Sequence, residues 1–423
     1  MNNTTVEFFR KHIKTPGGVE RFIQHLMQNG QQNVHTPFSL CREMVGKLSE
    51  YTTVSDKKIV VLLNTEFLHV LITDFGGIPE NITMIVDNPV DFEFCKLQYG
   101  MKPGINLFEI DINKTVQTGI LHTNRKGNDM KYDWQDMKFD CVVMNPPYQA
   151  PRINKKKGVV AGGSFLWDKF VQPAIGLTKE NGYICAVHPP SWRHGNTKRL
   201  RQLHKVMTSL QMQYLEMHSV NDGIKTVGVT TPYDWYVLQN SPNTKATTVK
   251  DYDGQIHQIN LKDWSFLPNS QFDLVKKILA KDGEERCEIL NSYSYPTNIP
   301  QPWMSKTQNV DFQYPCIRYI PRDVNALPQL WYSNTNKRGH FGVPKVVFHP
   351  KSNHLIVDIT GQYGMTQFAY GVVDTPKNLS KIKQAMESEK FLDFCKAFRV
   401  GNADMYDGKY IALFRKDFWK EFI

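Results

Sequence analysis

The chain has 423 residues, 41% of them hydrophobic and 22% charged, with a formal net charge of +10. That length holds two domains, or one large domain with an accessory lobe. No run approaches 18 uninterrupted apolar residues, so no spanning helix is expected, and the polar residues 1–14 lack the apolar core of a signal peptide.

Residues 1–50 read as mostly helical, closing on a helix from about Phe38 to Glu50. Its start, His35-Thr36-Pro37, offers Thr36 as a cap and Pro37 at the first turn. The apolar run Lys58 to Leu63 then reads as a strand buried on both faces. A helix-like segment from Thr65 to Asp74 follows, broken by Gly76-Gly77. Next come a strand at Ile82–Val86 ending in Asp87, and a shorter one near Leu107–Ile110 ending in Asp111. Residues 139–144 form a fourth strand, followed by a helix from about Phe165 to Thr178. A strand at Tyr183–Val187 ends at His188-Pro189-Pro190. A basic helix over 198–210 leads to strands near Tyr214–Glu216 and Asp234–Leu238.

Alternating buried strands and helices over 58–240 predict a doubly wound α/β sheet. Ligands in such sheets bind outside the carboxyl ends of the strands, where Asn64, Asp87, Asp111 and Asn145 all fall. From about residue 241 the alternation stops, and Pro, Asn and aromatic residues become frequent. Short strands at Lys345–Phe348 and Leu355–Asp358 precede a helical end over 376–398. Residues 241–423 are therefore expected to form a second, mixed α+β domain.

Cysteines 41, 95, 141, 185, 287, 316 and 395 are scattered singly, without a CxxC pair. They are expected to be reduced core residues of a cytoplasmic protein. His188, His194 and His204 lack metal-ligand spacing, so no metal is expected and they read as surface or turn residues.

The charge is unevenly spread. Residues 151–205 hold 11 Lys/Arg against 2 Asp/Glu, an excess of nine. It follows directly after Asn145-Pro146-Pro147-Tyr148, the segment that carries most chemistry. Two prolines there fix the backbone and remove donors. The Asn145 amide oxygen and the Pro146 carbonyl then serve as acceptors, with the Tyr148 ring beside them. Such a site suits a planar amide or an exocyclic amine. The basic excess behind it points to a polyanionic substrate.

These residues, in this order, resemble the amino-group DNA methyltransferases that use S-adenosylmethionine, in particular the N6-adenine branch. The resemblance covers roughly residues 33–240, where it implies a Rossmann-like methyltransferase domain. Residues 241–423 would be a target-recognition domain. It implies that Thr36 and Pro37 line the cofactor, that Asp87 and Asp111 meet its ribose and adenine, and that Phe165 lines its adenine pocket. Asn145, Pro146, Pro147 and Tyr148 match the catalytic motif. Lys155, Lys156, Lys157, Arg193, Lys198, Arg199, Arg201 and Lys205 become the phosphate clamp on double-stranded DNA. In the tail, Gly342 to Phe348 resembles a strand of recognition domains in restriction-modification methylases.

The first strand departs from that family. Leu62-Leu63-Asn64-Thr65-Glu66-Phe67 has no glycine before Gly76, leaving Asn64 and Glu66 to hold the cofactor's ammonium group and ribose. An aromatic for the far face of the target base is also missing from Asp222-Gly223-Ile224-Lys225, which leaves Tyr233 or Trp235. Two other readings fit the same residues: a catalytically silent DNA-binding relative, and a methyltransferase acting on glutamine side chains of a protein.

Overall fold

The computed structural model describes residues 17–21, 36–100, 104–110, 120–122, 131–133, 138–148, 165–194, 197–228, 230–292, 295–297, 301–399 and 406–423. It divides into two compact units, Met1–Leu267 and Pro268–Ile423.

Continuous apolar runs build the centre of the first unit. Strands β1 (Ile59–Leu62) and β2 (Ile82–Val86) bury every residue, as strands covered on both faces must. They are joined by β3 (Asn106–Glu109). A separate antiparallel pair consists of β4 (Ile120–His122) and β5 (Lys131–Asp133). The main sheet continues with β6 (Phe139–Met144), β7 (Thr178–His188), β8 (Leu210–His218) and β9 (Tyr233–Pro242). Two short strands, β10 (Thr247–Lys250) and β11 (Ile256–Ile259), lie beyond residue 240 and extend the same sheet.

The order across the nine strands is β11-β10-β8-β9-β7-β6-β1-β2-β3. Strands β3, β2, β1, β6 and β7 are mutually parallel, whereas β9 runs against both β7 and β8. The chain therefore leaves β1 toward β2 and β3 on one side, then returns to place β6 on the other. That reversal is a topological switch point, where the loops at the carboxyl ends diverge and open a crevice. The register brings Leu62 level with Ile85 and Met144. Residues 63–66, 86–87 and 145–148 thus emerge along one edge.

Helix α1 (Phe38–Ser49) buries Phe38, Cys41, Met44, Val45 and Leu48 at helical spacing. Helix α2 (Thr65–Thr73) follows β1, and α3 (Pro89–Tyr99) follows β2 behind Asn88, whose side chain accepts from Asp91 N–H. Helices α4 (Asp168–Leu177), α5 (Lys198–Ser209) and α6 (Val220–Val227) complete the unit. The apolar core runs through α1, α2 and the strand faces they cover.

The second unit begins with α7 (Phe272–Ile278) and β12 (Glu288–Asn291). Then come β13 (Met304–Ser305), β14 (Tyr314–Tyr319), β15 (Gln329–Ser333), β16 (Lys345–Phe348), β17 (Ile356–Asp358), β18 (Gly364–Met365) and β19 (Tyr370–Val373). They form two four-stranded sheets, β12-β19-β16-β17 and β13-β15-β14-β18. The helical end is broken at Ser388, which caps a second helix. The pieces are α8 (Pro376–Glu387) and α9 (Glu389–Lys396), and a short α10 (Gly408–Ile411) follows.

The molecule thus has a large mixed, Rossmann-like α/β sheet and a smaller mixed α+β unit, the class expected from the sequence. All seven cysteines are free and buried. Among the described residues no helix is long and apolar enough to cross a membrane.

Candidate functional site

Strand β1 leaves the sheet through Leu63, whose φ of 68° lies in the left-handed region. A residue with a β-carbon pays about 1–2 kcal/mol for that conformation. Burial of its side chain (6% exposed) and a bond from its N–H to Ile85 O at 2.8 Å hold it there. Leu63 thereby makes a turn of the kind glycine makes most easily. Beyond it, Asn64, Thr65 and Glu66 are all buried where α2 begins.

Strand β6 delivers Asn145 to the opposite side of the switch point. Its backbone N–H donates to Asn64 Oδ1 at 2.8 Å, and its Nδ2 donates to Thr36 Oγ1 at 2.9 Å. All three residues are buried. With Nδ2 committed to Thr36, the planar amide sends Oδ1 the other way. Thr36 does not cap α1: Pro37 takes the N-cap position and no side chain caps it. Three separate segments predicted for the site therefore meet, at the start of α1, the end of β1 and the end of β6.

Pro146 is buried, while Pro147 and Tyr148 are half-buried. Burial pushes the Tyr148 phenol well up, and Tyr233 and Asp234 add to that, so the ring stays neutral. The next described segment returns to this turn, with Leu166 N–H donating to Tyr148 O at 3.1 Å. Phe165 beside it is 46% exposed, a free ring face at the edge of the turn.

Asp87 is half-buried at the end of β2, where the Asn88 side chain donates to its Oδ1 at 3.3 Å. Glu66 lies close to the Cys41 and Cys95 thiols. Burial raises both thiols, and the carboxylate raises them further. Asp111, Lys155, Lys156 and Lys157 fall outside the described residues.

The clamp needs one correction. Arg193 is completely buried, its Nε 3.0 Å from Asp234 Oδ2 in a pair with no exposed side-chain surface on either partner. Trp192 Nε1 donates to the same carboxylate at 3.0 Å, and Arg193 Nη2 donates to Tyr252 OH at 3.2 Å. This arginine holds β9 to the segment after β7 and is not a phosphate contact. Lys198, Arg199, Arg201 and Lys205 do lie exposed on α5, although Arg199 reaches Asp168 at 2.5 Å.

The histidines are buried and not at the surface, and of the three only His194 stands in a turn, at the end of the 190–193 segment. His188 is fully buried and stacks on Trp167 with ring centroids 4.3 Å apart. Its Nδ1 donates to Pro189 O and its Nε2 accepts from Tyr236 OH, both at 3.0 Å. His204 Nε2 meets Trp264 O at 3.1 Å. His194 is buried as well. Tyr233 and Trp235 are likewise core residues, at 1% and 0% exposure, with Tyr233 stacked on His218. Neither offers a face to a base. Among the described residues no group of His, Cys, Asp or Glu has the geometry to hold a metal ion.

A mixed sheet thus carries an asparagine and two prolines at its switch point. Comparison with known proteins adds the relatives. Residues 80–218 match the family model of the Eco57I restriction-modification methylase. The modification methylase CviBIII of Paramecium bursaria Chlorella virus NC1A is 29% identical over 122 residues, covering 28% of this chain and 31% of that protein. The matched part is thus less than a third of that relative's length. Over that stretch the chain resembles the methylases of restriction-modification systems. Among solved structures, the type IIG restriction endonuclease BpuSI aligns over 96% of this chain and 62% of its own, at 8% identity and a TM-score of 0.47. A type I restriction-modification methyltransferase subunit from Streptococcus thermophilus aligns over 58% of this chain and 55% of its own, at 13% identity and a TM-score of 0.40.

Proposed function

We propose that this chain is a site-specific DNA methyltransferase that modifies adenine N6 of a base flipped out of the duplex. The observation that carries the reading is the fixed orientation of Asn145 by Thr36 and Asn64 at the switch point. Adenine N6 is a poor nucleophile because its lone pair is delocalised into the ring. Acceptance of its two hydrogens by Asn145 Oδ1 and the Pro146 carbonyl favours a pyramidal nitrogen whose lone pair is free to attack. The residues act by position and preorganised dipoles, and the proton released from N6 after transfer passes to water without an obligatory general base. The Tyr148 ring, held neutral, stacks on the flipped base and offsets the few kcal/mol of unstacking.

The residues at the edge fit an adenosyl cofactor. Asp87 at the end of β2 suits ribose hydroxyls, and the half-exposed Phe165 suits an adenine face. Asn64 also accepts from Asn145 N–H, so it would hold the catalytic turn as well as the cofactor edge. S-adenosylmethionine, when bound, supplies a methyl group activated by its sulfonium. Residues 1–240, their sheet completed by β10 and β11, would carry this chemistry, and the rest of residues 241–423 would choose the DNA sequence. The cations of α5, with Lys155, Lys156 and Lys157, would neutralise phosphates.

Calorimetry with S-adenosylmethionine, followed by tritiated methyl transfer to DNA of varied sequence, tests the proposal. Binding and adenine methylation are expected, with transfer abolished in Asn145→Ala and cofactor affinity weakened in Asp87→Ala. Cofactor binding without transfer to any DNA would favour the silent relative, and transfer to a protein glutamine would replace DNA as substrate.

A further inference from the structure

The second unit contains a cavity of about 470 Å³ that none of the chemistry above uses. Its walls come from the end of β14, the turn after β16 and the approach to β19. They present Arg318, Tyr319, His349, Lys351, Gln367 and Phe368, and no carboxylate. Neither Arg318 nor Lys351 is within ion-pairing distance of an acid among the described residues. Among the described residues the Arg318 Nε is buried without a hydrogen-bond partner, and its Nη1 donates to Gln329 Oε1 at 3.2 Å. Phe368 is 44% exposed, an aromatic face left open at the mouth.

The local structure holds these groups in place. His349 Nδ1 accepts from Lys351 N–H at 3.2 Å, which leaves the ring proton on Nε2. The His349 ring packs edge-on to Tyr319 with centroids 4.8 Å apart. Arg322, on the β14–β15 loop, donates from Nε to Lys351 O at 3.0 Å and adds a third cation nearby. The same loop carries Val324 and Leu327 at 66% and 87% exposure, apolar side chains beside a basic surface.

A cavity of this size accepts a drug-sized ligand or one nucleotide. Cations without acid partners select an anion, an open ring selects a flat partner, and a glutamine amide can pair with a base edge. We propose that this cavity seats one unpaired nucleotide of DNA. Its base lies against Phe368, its edge meets Gln367, and its phosphate meets Arg318 and Lys351. Gln367 is then a specificity-determining residue. The inference rests on reading the chain as a DNA-acting protein, and it gives the second unit a defined contact.

The test uses the full chain and three probes: a mixed-sequence duplex, the same duplex with one extrahelical 2-aminopurine, and the single strand. Wild-type protein is expected to bind the bulged duplex and the single strand more tightly than the perfect duplex, and to quench the extrahelical fluorophore. Phe368→Ala should lose that preference by roughly ten-fold, together with most of the quenching. Arg318→Gln with Lys351→Gln should reduce the slope of log affinity against log salt by about 0.9 for the bulged duplex, the worth of one phosphate. If Arg318→Gln unfolds, Lys351→Gln alone should still reduce it, by up to about 0.9. Lys351 is exposed, so that variant is expected to keep the wild-type melting temperature. An unchanged slope overturns the seat. A reduced slope with preference and quenching intact in Phe368→Ala also overturns it, leaving a phosphate surface only. Failure of wild type to bind any of the three probes instead overturns the DNA reading itself, and the seat with it.

Discussion

The backbone N–H of Asn145 donates to the side-chain oxygen of Asn64 at 2.8 Å across 81 residues of sequence. This bond joins the ends of two adjacent parallel strands at the point where their loops part. It satisfies a buried donor that the following prolines leave without a neighbouring ladder, and it fixes where the Asn145 side chain starts. Asn64→Ala removes the acceptor and strands that N–H. A loss of about 1–3 kcal/mol in denaturant unfolding is expected, with a fall in methyl transfer. Asn64→Asp keeps an oxygen there and should recover part of the stability. Wild-type stability and rate in Asn64→Ala would remove this bond from any role.

In the proposed mechanism Thr36 acts through Asn145, whose Nδ2 donates to its hydroxyl. Thr36→Val keeps the shape but frees the amide to rotate. The turnover rate is expected to fall about ten-fold, the worth of one well-placed hydrogen bond, while KM for DNA stays near wild type. Thr36→Ser should restore the rate. A KM effect with unchanged turnover, or no rescue by serine, would mean that Thr36 serves packing alone.

The two kinds of basic residue should separate experimentally. Arg193→Gln leaves the fully buried Asp234 carboxyl without its cationic partner, and is expected to cost about 3–5 kcal/mol of stability. Neutralising Lys198, Arg201 and Lys205 should leave the melting temperature unchanged and lower the salt dependence of DNA affinity by about 0.9 per phosphate contact. A stable Arg193→Gln with a reduced salt slope would return that residue to the DNA surface.

Burial holds the His188 imidazole at about 4, below its ordinary 6.5. The folded state therefore favours the neutral ring. The stability it contributes is complete above pH 6.5 and is lost as pH falls toward 4, about 3 kcal/mol in all. Burial also lowers His194 and His204, so they act in the same direction. Denaturant unfolding between pH 7 and pH 4 should show the decline, and His188→Gln should flatten it relative to its own value at pH 7. An equally steep decline in that variant would place the titration elsewhere.

Much of the site could be read from local pattern. Continuous apolar runs marked β1, β2 and β6 because a strand covered on both faces has no polar side to show. Their ends marked Asn64, Asp87 and Asn145 because side chains just past a parallel strand face the ligand edge. Many of the shorter strands went unread, two of them in the main sheet. β10 and β11 are four residues each and partly exposed, too short for alternation to stand out beside their turns. The helical end read as one helix, because only its folded backbone shows Ser388 breaking it to cap the second piece.

Charge was the least legible property. Counting Lys and Arg over 151–205 revealed the excess but could not show which cation is spent internally. That depends on Asp234, which the antiparallel β9 brings beside β7. Periodicity and motif order were enough for the strands, the Asn-Pro-Pro-Tyr turn and its basic neighbourhood, because they depend on neighbours in the chain. The left-handed Leu63, the buried Arg193 and the locking of Asn145 by Asn64 and Thr36 were settled by folding alone. These are contacts across up to 109 residues, and they exist only once the strand order is set.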